Sequence, residues 1–377
     1  MPKVPSGSTR RRGQNCRSCG PRGQSNSKET KADVPVASNA LGRRRPPIVI
    51  GLTAVGLIVL LAVLAWVAQQ AWRPLATPTS QSQGPSPLTG AVSLEDVQAR
   101  PHLVFQNVIR GADYAEVSLV ALDAPEARRF ATGLVCERVH FAGGQGICLA
   151  AEHGAESTYF ARVFGRDFAP RVSIPLAGSP NLARVSPDGR YGAVTVITVQ
   201  RTEEDEPANL TVLIDMAGGT VIADLAEFAL TRDGADVQDA NLDIWGVSFA
   251  SADSDRFYAT VRTSGNNHLV EGSVADRAMR VLHENVSAPA VSPDGTRIAY
   301  AKLMTNIGPT WRFHVLDLAT MAETPLGEMS SIDDQPEWLD DAHILYGLSG
   351  DLFVAQADGG GDPRVFLEDG LSPAVVR

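Results

Sequence analysis

The sequence predicts an all-β fold: a six-bladed β-propeller, counted to within one blade, behind a disordered basic tail and one transmembrane helix. Three observations predict it. A Val-Ser-Pro-Asp-Gly block occurs twice, alternating strands repeatedly end in Asp and a turn, and an uncharged apolar run of 21 residues lies near the N-terminus. The chain of 377 residues is 44% hydrophobic and 20% charged, which permits a sizeable core and excludes disorder throughout. Aromatic residues are only 6%, against 34 Gly and 24 Pro, a composition suited to many short elements broken by turns. A net charge of −10 argues against a general nucleic-acid binder, which needs a basic face. The charge is unevenly placed: residues 1–46 carry +9 and the remainder −19.

Residues 1–46 show no apolar periodicity and cannot bury enough surface to offset chain entropy, so they read as a disordered cytoplasmic tail. Cys16 and Cys19 form a C-x-x-C there without the two further ligands a zinc site needs, and read as reduced thiols. The segment 47–72 holds the span. Ile48 to Ala68 is long enough to cross about 30 Å of hydrocarbon as a helix. Arg43, Arg44 and Arg45 on one flank, with Trp66 and Trp72 near the other, place the N-terminus in the cytoplasm and the rest outside. A cleaved signal peptide would have a shorter apolar core and a shorter basic leader, so the expectation is a retained anchor in the cell membrane. Residues 73–90 are rich in Pro, Ser, Thr and Gln and read as a semi-extended linker to an extracytoplasmic module, 91–377.

Within that module the Ser-Pro-Asp-Gly turns are Ser186, Pro187, Asp188, Gly189 and Ser292, Pro293, Asp294, Gly295. Pro presets φ, Asp tolerates the next position and Gly supplies the positive φ that reverses the strand. After each comes a strand ending in Asp: Leu210 to Asp215, and Trp311 to Asp317; Val117 to Asp123 has the same form. Four strands per repeat is the content of a propeller blade. Six units place their inner strands near Leu103, Val139, Ala183, Trp245, Ala288 and Glu337. Ser372 to Val376 resembles the start of a further blade and is expected to add a strand to the first, closing the ring.

These Val-Ser-Pro-Asp-Gly blocks with their Leu-Asp strands resemble the WD40-like repeats of TolB-type propellers, over roughly residues 102–377. The whole arrangement is similar to the single-pass, TolB-like propeller proteins of high-GC Gram-positive bacteria. The resemblance implies an envelope protein and brings no catalytic residues with it.

No nucleophile-elbow, zincin, phosphate-loop or EF-hand pattern occurs. A metal-dependent hydrolase or lactonase would need a site lining the central channel; the candidate polar residues are His102, His140, Asp243 and Glu337. The acidic runs 203–206 and Asp233/Asp236/Asp239/Asp243 read as solvated insertions that would give the top face a negative docking surface for basic partners. Cys136 and Cys148 flank the Gly143-Gly144-Gln145-Gly146 turn in an oxidising compartment. A symmetric hairpin would pair residue 141 with 148, so a disulfide there requires a bulge or a wider loop. Trp245, Trp311 and Trp338 read as blade packing. The expected function is binding or scaffolding toward a protein or envelope component, with the bilayer as a lipid partner, no cofactor and no nucleic acid. The two rival functions are a channel hydrolase and an envelope sensor acting through the tail.

Overall fold

The computed structural model describes residues 92–154, 157–198, 207–238, 242–305, 308–332 and 334–377. The predicted tail, the span Ile48–Ala68, the linker and the acidic run 203–206 lie outside these residues. Among the described residues no helix is long and apolar enough to cross a membrane.

Six sheets succeed one another along the chain. Blade 1 begins with β1 (His102–Asn107), β2 (Glu116–Ala121) and β3 (Phe130–Val135). Blade 2 comprises β4 (Arg138–Ala142), β5 (Gln145–Glu152), β6 (Thr158–Gly165) and β7 (Pro170–Pro175). Blade 3 comprises β8 (Ser179–Val185), β9 (Tyr191–Thr198), β10 (Ala208–Asp215) and β11 (Thr220–Asp224). A hairpin follows, β12 (Ala229–Arg232) and β13 (Ala235–Asp236), and then blade 4: β14 (Asp243–Phe249), β15 (Arg256–Thr263), β16 (Asn266–Ser273) and β17 (Ala278–Glu284). Blade 5 holds β18 (Ser287–Val291), β19 (Arg297–Met304), β20 (Thr310–Asp317) and β21 (Glu323–Pro325). Blade 6 holds β22 (Glu337–Asp340), β23 (His343–Leu348), β24 (Asp351–Gln356) and β25 (Arg364–Leu367). The last strand, β26 (Gly370–Val376), returns to blade 1, where the order is β26-β1-β2-β3.

The C-terminal strand therefore closes the ring, pairing His102 with Val376 and Leu103 with Val375. It also corrects one assignment. Strand β1, near Leu103, is the second strand of its blade, because β26 takes the innermost place. Blade 4 departs from four strands as well. Strand β12 adds in parallel to the outer strand β17, so part of the predicted acidic insertion is an ordered hairpin around Asp233-Gly234. Both turn residues have positive φ, the conformation a two-residue hairpin demands.

One apolar cluster fills each blade interface. Phe141, Phe164 and Phe168 stack between blades 1 and 2; Phe249 and Phe257 meet Tyr191 and Leu213 between blades 3 and 4. Leu103 and Phe105 pack on Leu345 and Leu352 between blades 6 and 1. The sheets are covered on both faces by their neighbours, so strands such as β1, β2, β9 and β14 are buried along nearly their whole length rather than on alternate residues.

In both Ser-Pro-Asp-Gly turns the Ser hydroxyl donates to the Asp carboxylate two residues on, at 2.6 Å in Ser186–Asp188 and 2.5 Å in Ser292–Asp294. The same Ser oxygens accept from the backbone of Tyr191 and Arg297, locking the start of the next strand. Gly189 and Gly295 have φ of +73° and +72°.

Cys136 and Cys148 form a disulfide with Cα atoms 5.3 Å apart. The hairpin register differs from the symmetric four-residue turn. Gly143 and Gly144, both at positive φ, make a two-residue turn that pairs Ala142 with Gln145 and Val139 with Cys148. Cys136 thus lies upstream of the hairpin, on the crossover from blade 1, and the bond ties that crossover to β5. A loop of this length lowers unfolded-chain entropy by an amount worth about 3 kcal/mol. The Cys136→Ala/Cys148→Ala variant is expected to lose about that much stability in urea, with reductant having no further effect on it; an unchanged midpoint refutes a stapling role.

Candidate functional site

The inner strands β26, β4, β8, β14, β18 and β22 surround the axis, and a side chain joins each blade to the next, from an inner strand everywhere except blade 3, where it comes from Thr211 on β10. Ser372 Oγ lies 3.0 Å from both the amide and the carbonyl of Val139, joining blade 1 to blade 2. The Val185 amide donates to His140 Nδ1 at 3.1 Å, and Thr211 Oγ1 donates to the Ile244 carbonyl at 2.5 Å. The Val291 amide donates to Ser248 Oγ at 3.0 Å, Trp338 Nε1 donates to the Ala290 carbonyl at 2.8 Å, and the Val375 amide donates to Glu337 Oε1 at 3.3 Å. The last of these bonds returns to blade 1, so the links form a closed cycle. Gly246 is required in it: φ is +67°, and a Cβ there would lie 2.6 Å from Ala288 Cα of the next blade.

Polar side chains also span the axis. Arg184, from blade 3, pairs with Glu337 on the opposite blade 6 and donates to the Pro336 carbonyl at 2.5 Å. His140 Nε2 lies 3.8 Å from the same Glu337 oxygen. Its Nδ1 accepts the Val185 amide, which puts the imidazole proton on Nε2, facing the carboxylate. Gln335 Nε2 donates to the carbonyls of Val247 and Pro289, at 3.0 and 2.7 Å, tying blade 6 to blades 4 and 5.

Burial alone would raise the Glu337 carboxyl; the Arg184 charge, and then His140, outweigh it and hold it at about 2. Burial pushes the His140 imidazole below its ordinary value, with Arg184 adding to the effect and Glu337 opposing it. The unfolded chain therefore takes up a proton near pH 6.5 that the folded chain refuses, and stability falls as the pH drops below that value. His102, His268 and His314 are lowered by burial too and act in the same direction. The melting temperature is expected to fall between pH 7.5 and 5, and less steeply in His140→Gln; identical slopes in the two proteins refute the assignment.

Of the four predicted channel residues, the structure brings together His140 and Glu337 only. His102 lies on the second strand of blade 1, its Nδ1 2.8 Å from the Arg100 carbonyl. Asp243 sits at the other end of the channel, accepting from the Asn209 amide at 2.8 Å and pairing with Arg262 at 3.1 Å. With a guanidinium already on Glu337, the pair does not present a cation with the free carboxylates a hard metal requires. Among the described residues no group of three or more His, Cys, Asp or Glu is placed to hold a metal ion.

Two cavities open at the ends of this plugged axis. The lower one, about 300 Å³, lies beside the hairpin turns and is floored by Arg184, Glu337 and His140. The upper one, about 280 Å³, lies where inner strands begin and is lined by Asn181, Asn209, Trp245, Arg262, Asn267, Ser287, Trp311, Asp334 and Gln335. It adjoins a groove of about 560 Å³ across blades 4 and 5, with which it shares Arg262, Asn267 and Trp311. Arg262 lies over the Trp245 ring at 5.3 Å, and Trp245 Nε1 donates to Ser287 Oγ at 3.1 Å. The expectation that Trp245 and Trp311 only pack the blades is thus incomplete, since both also face this cavity.

Sequence reasoning missed Arg184 and the amide residues of the upper cavity. Arg184 carried a signal: Ala183-Arg184-Val185-Ser186 aligns with Pro289-Ala290-Val291-Ser292, so a charge stands on an inner strand where the second copy has Ala. The amides carried none: Asn181, Asn209 and Asn267 stand near the ends of β8, β10 and β16, where a polar residue is ordinary.

No family model matches this chain, and no curated protein matches it. Solved structures do. TolB from Acinetobacter baumannii matches at 14% identity and a TM-score of 0.52, over 76% of this chain and 68% of that one. A putative TolB from Agrobacterium tumefaciens matches at 12% identity and 0.42, over 72% and 90%. A putative 6-phosphogluconolactonase from Bacteroides uniformis matches at 9% and 0.42, over 73% and 99%. At these identities likeness speaks for the fold alone, and the fold of this chain is the TolB-like six-bladed β-propeller.

Proposed function

We propose that the chain is a membrane-anchored, extracytoplasmic binding module, held by the span Ile48–Ala68 with its N-terminus in the cytoplasm, that docks an envelope component on its upper face. The observation that carries this reading is the upper cavity with its adjoining groove. It is a concave, polar site on a rigid ring, with hydrogen-bonding groups left unused by the fold. The 21-residue apolar run with Arg43–Arg45 supports the anchor, and the disulfide supports an oxidising compartment. A hydrolase in the channel is less well supported, because Arg184 occupies the carboxylate such a site would use. Crosslinking of the tagged full-length protein in its native envelope tests the proposal, with a control lacking residues 91–377. Components captured only when the propeller is present are the expected result; equal capture by the control overturns it.

A further inference from the structure

Resting on that reading, we infer that the upper cavity and groove bind a neutral, polyhydroxylated ligand, a short oligosaccharide. The fixed charges of the upper cavity are already paired, Asp243 with Arg262 at 3.1 Å and Asp334 with Arg138 at 3.6 Å, and the groove brings one cation and one anion, Arg232 and Glu284, which leave it without net charge. A ligand is then selected by hydroxyl pattern rather than by charge. The groups that remain are planar amides. Asn181 donates through Nδ2 to Asn209 at 3.2 Å, which leaves its Oδ1 open. Both donors of Gln335 are spent on backbone carbonyls, leaving Oε1 as acceptor. Among the described residues the Asn267 side chain has no partner, and it stands where cavity and groove meet. None of these three side chains has a buried orphan atom, so their open groups are in reach of a ligand. Trp311, shared by both spaces, adds an aromatic surface suited to the apolar C–H face of a sugar ring.

An extended polypeptide is a poorer match. Strand addition needs a free sheet edge. Here the inner-edge amides of Val139, Val185, Ala288 and Val291 already donate to Ser372, His140, Thr260 and Ser248. Sugar hydroxyls, which donate and accept at once, can donate to the open oxygens of Asn181 and Gln335 and do both at Asn267.

The test titrates the full chain with cellotetraose and tetra-N-acetylchitotetraose, and with a hyaluronan tetrasaccharide as the acidic counterpart, followed by tryptophan fluorescence and calorimetry. At least one neutral tetrasaccharide is expected to saturate with a Kd between about 10 µM and 1 mM, more tightly than the acidic one. Asn267→Ala is expected to weaken it about tenfold with an unchanged melting temperature. No saturation by either neutral sugar up to about 10 mM, tighter binding of the acidic sugar, or full affinity in Asn267→Ala each overturns the inference. If crosslinking still captures a component through the propeller, the binding-module reading stands while the sugar assignment falls. If both experiments fail, both readings fall.

Discussion

Removing residues 370–377 is expected to unfold the propeller at room temperature or bring it close to unfolding. The deletion takes away the innermost strand of blade 1 together with Ala374 and Val375, both buried. It strips β1 of its β26 partners between His102 and Asn107, leaving only the β2 ladder, and exposes Leu103 and Phe105, which are otherwise fully buried. It also removes Ser372 and the Val375 amide, and so two of the six links in the cycle around the axis. Burying a Val contributes about 1.5–3 kcal/mol and each hydrogen bond about 1 kcal/mol, so the loss is on the order of 5 kcal/mol or more. That is comparable with the whole stability of an ordinary domain. Urea unfolding followed by near-ultraviolet circular dichroism measures it; a midpoint within error of the intact chain would show that the ring does not depend on β26.

The second large effect is expected at the Arg184–Glu337 pair. Glu337→Gln leaves a guanidinium desolvated without a counter-charge, at a cost of about 3–5 kcal/mol. Arg184→Met should cost a similar amount near neutral pH, because Glu337 is then buried with only a neutral His140 beside it. Arg184→Met/Glu337→Leu is expected to recover most of the loss, since an apolar pair of similar volume needs no hydration. A double variant as unstable as the sum of the single ones refutes coupling across the axis. The pH dependence has a definite sign. With its folded value lowered to about 2, Glu337 contributes in full above the ordinary Glu value, and the contribution is lost as the pH falls through about 2.

What the sequence made legible follows from which residues are constrained locally. Ser-Pro-Asp-Gly fixes a turn by its own chemistry, so blades 3 and 5 could be placed from four residues each, and alternation placed the other inner strands nearby. Strand β1 stands one place further out than its own sequence suggests, because nothing local to Leu103 says which side of it a distant segment will occupy. The Ser372-Pro-Ala-Val-Val376 segment held the answer at the other end of the chain. In the Cys136–Cys148 hairpin, Gly143-Gly144 both adopt positive φ, which makes the turn two residues tighter than a symmetric reading of Gly-Gly-Gln-Gly. Asp233-Gly234 is the same kind of turn, hidden inside a run whose acidity drew attention to charge instead of geometry. The channel was the least legible part. His140 and Glu337 are far apart in sequence, and only the closed ring sets them against Arg184.

Closure by β26 also sets the order in which the protein can be completed. As the chain is synthesised from its N-terminus, β1 to β3 are made first, yet β1 meets its inner partner only after β4 to β25 have been made. At ribosomal speeds that interval is on the order of tens of seconds. During it, β1 presents an unpaired edge beside Leu103, Val104 and Phe105, all fully buried in the finished ring. Blade 1 is therefore the window of vulnerability to off-pathway association, and nonsense or frameshift products that end before Gly370 carry that exposed edge permanently. A cell making this protein has reason to shield its first blade until the last strand arrives.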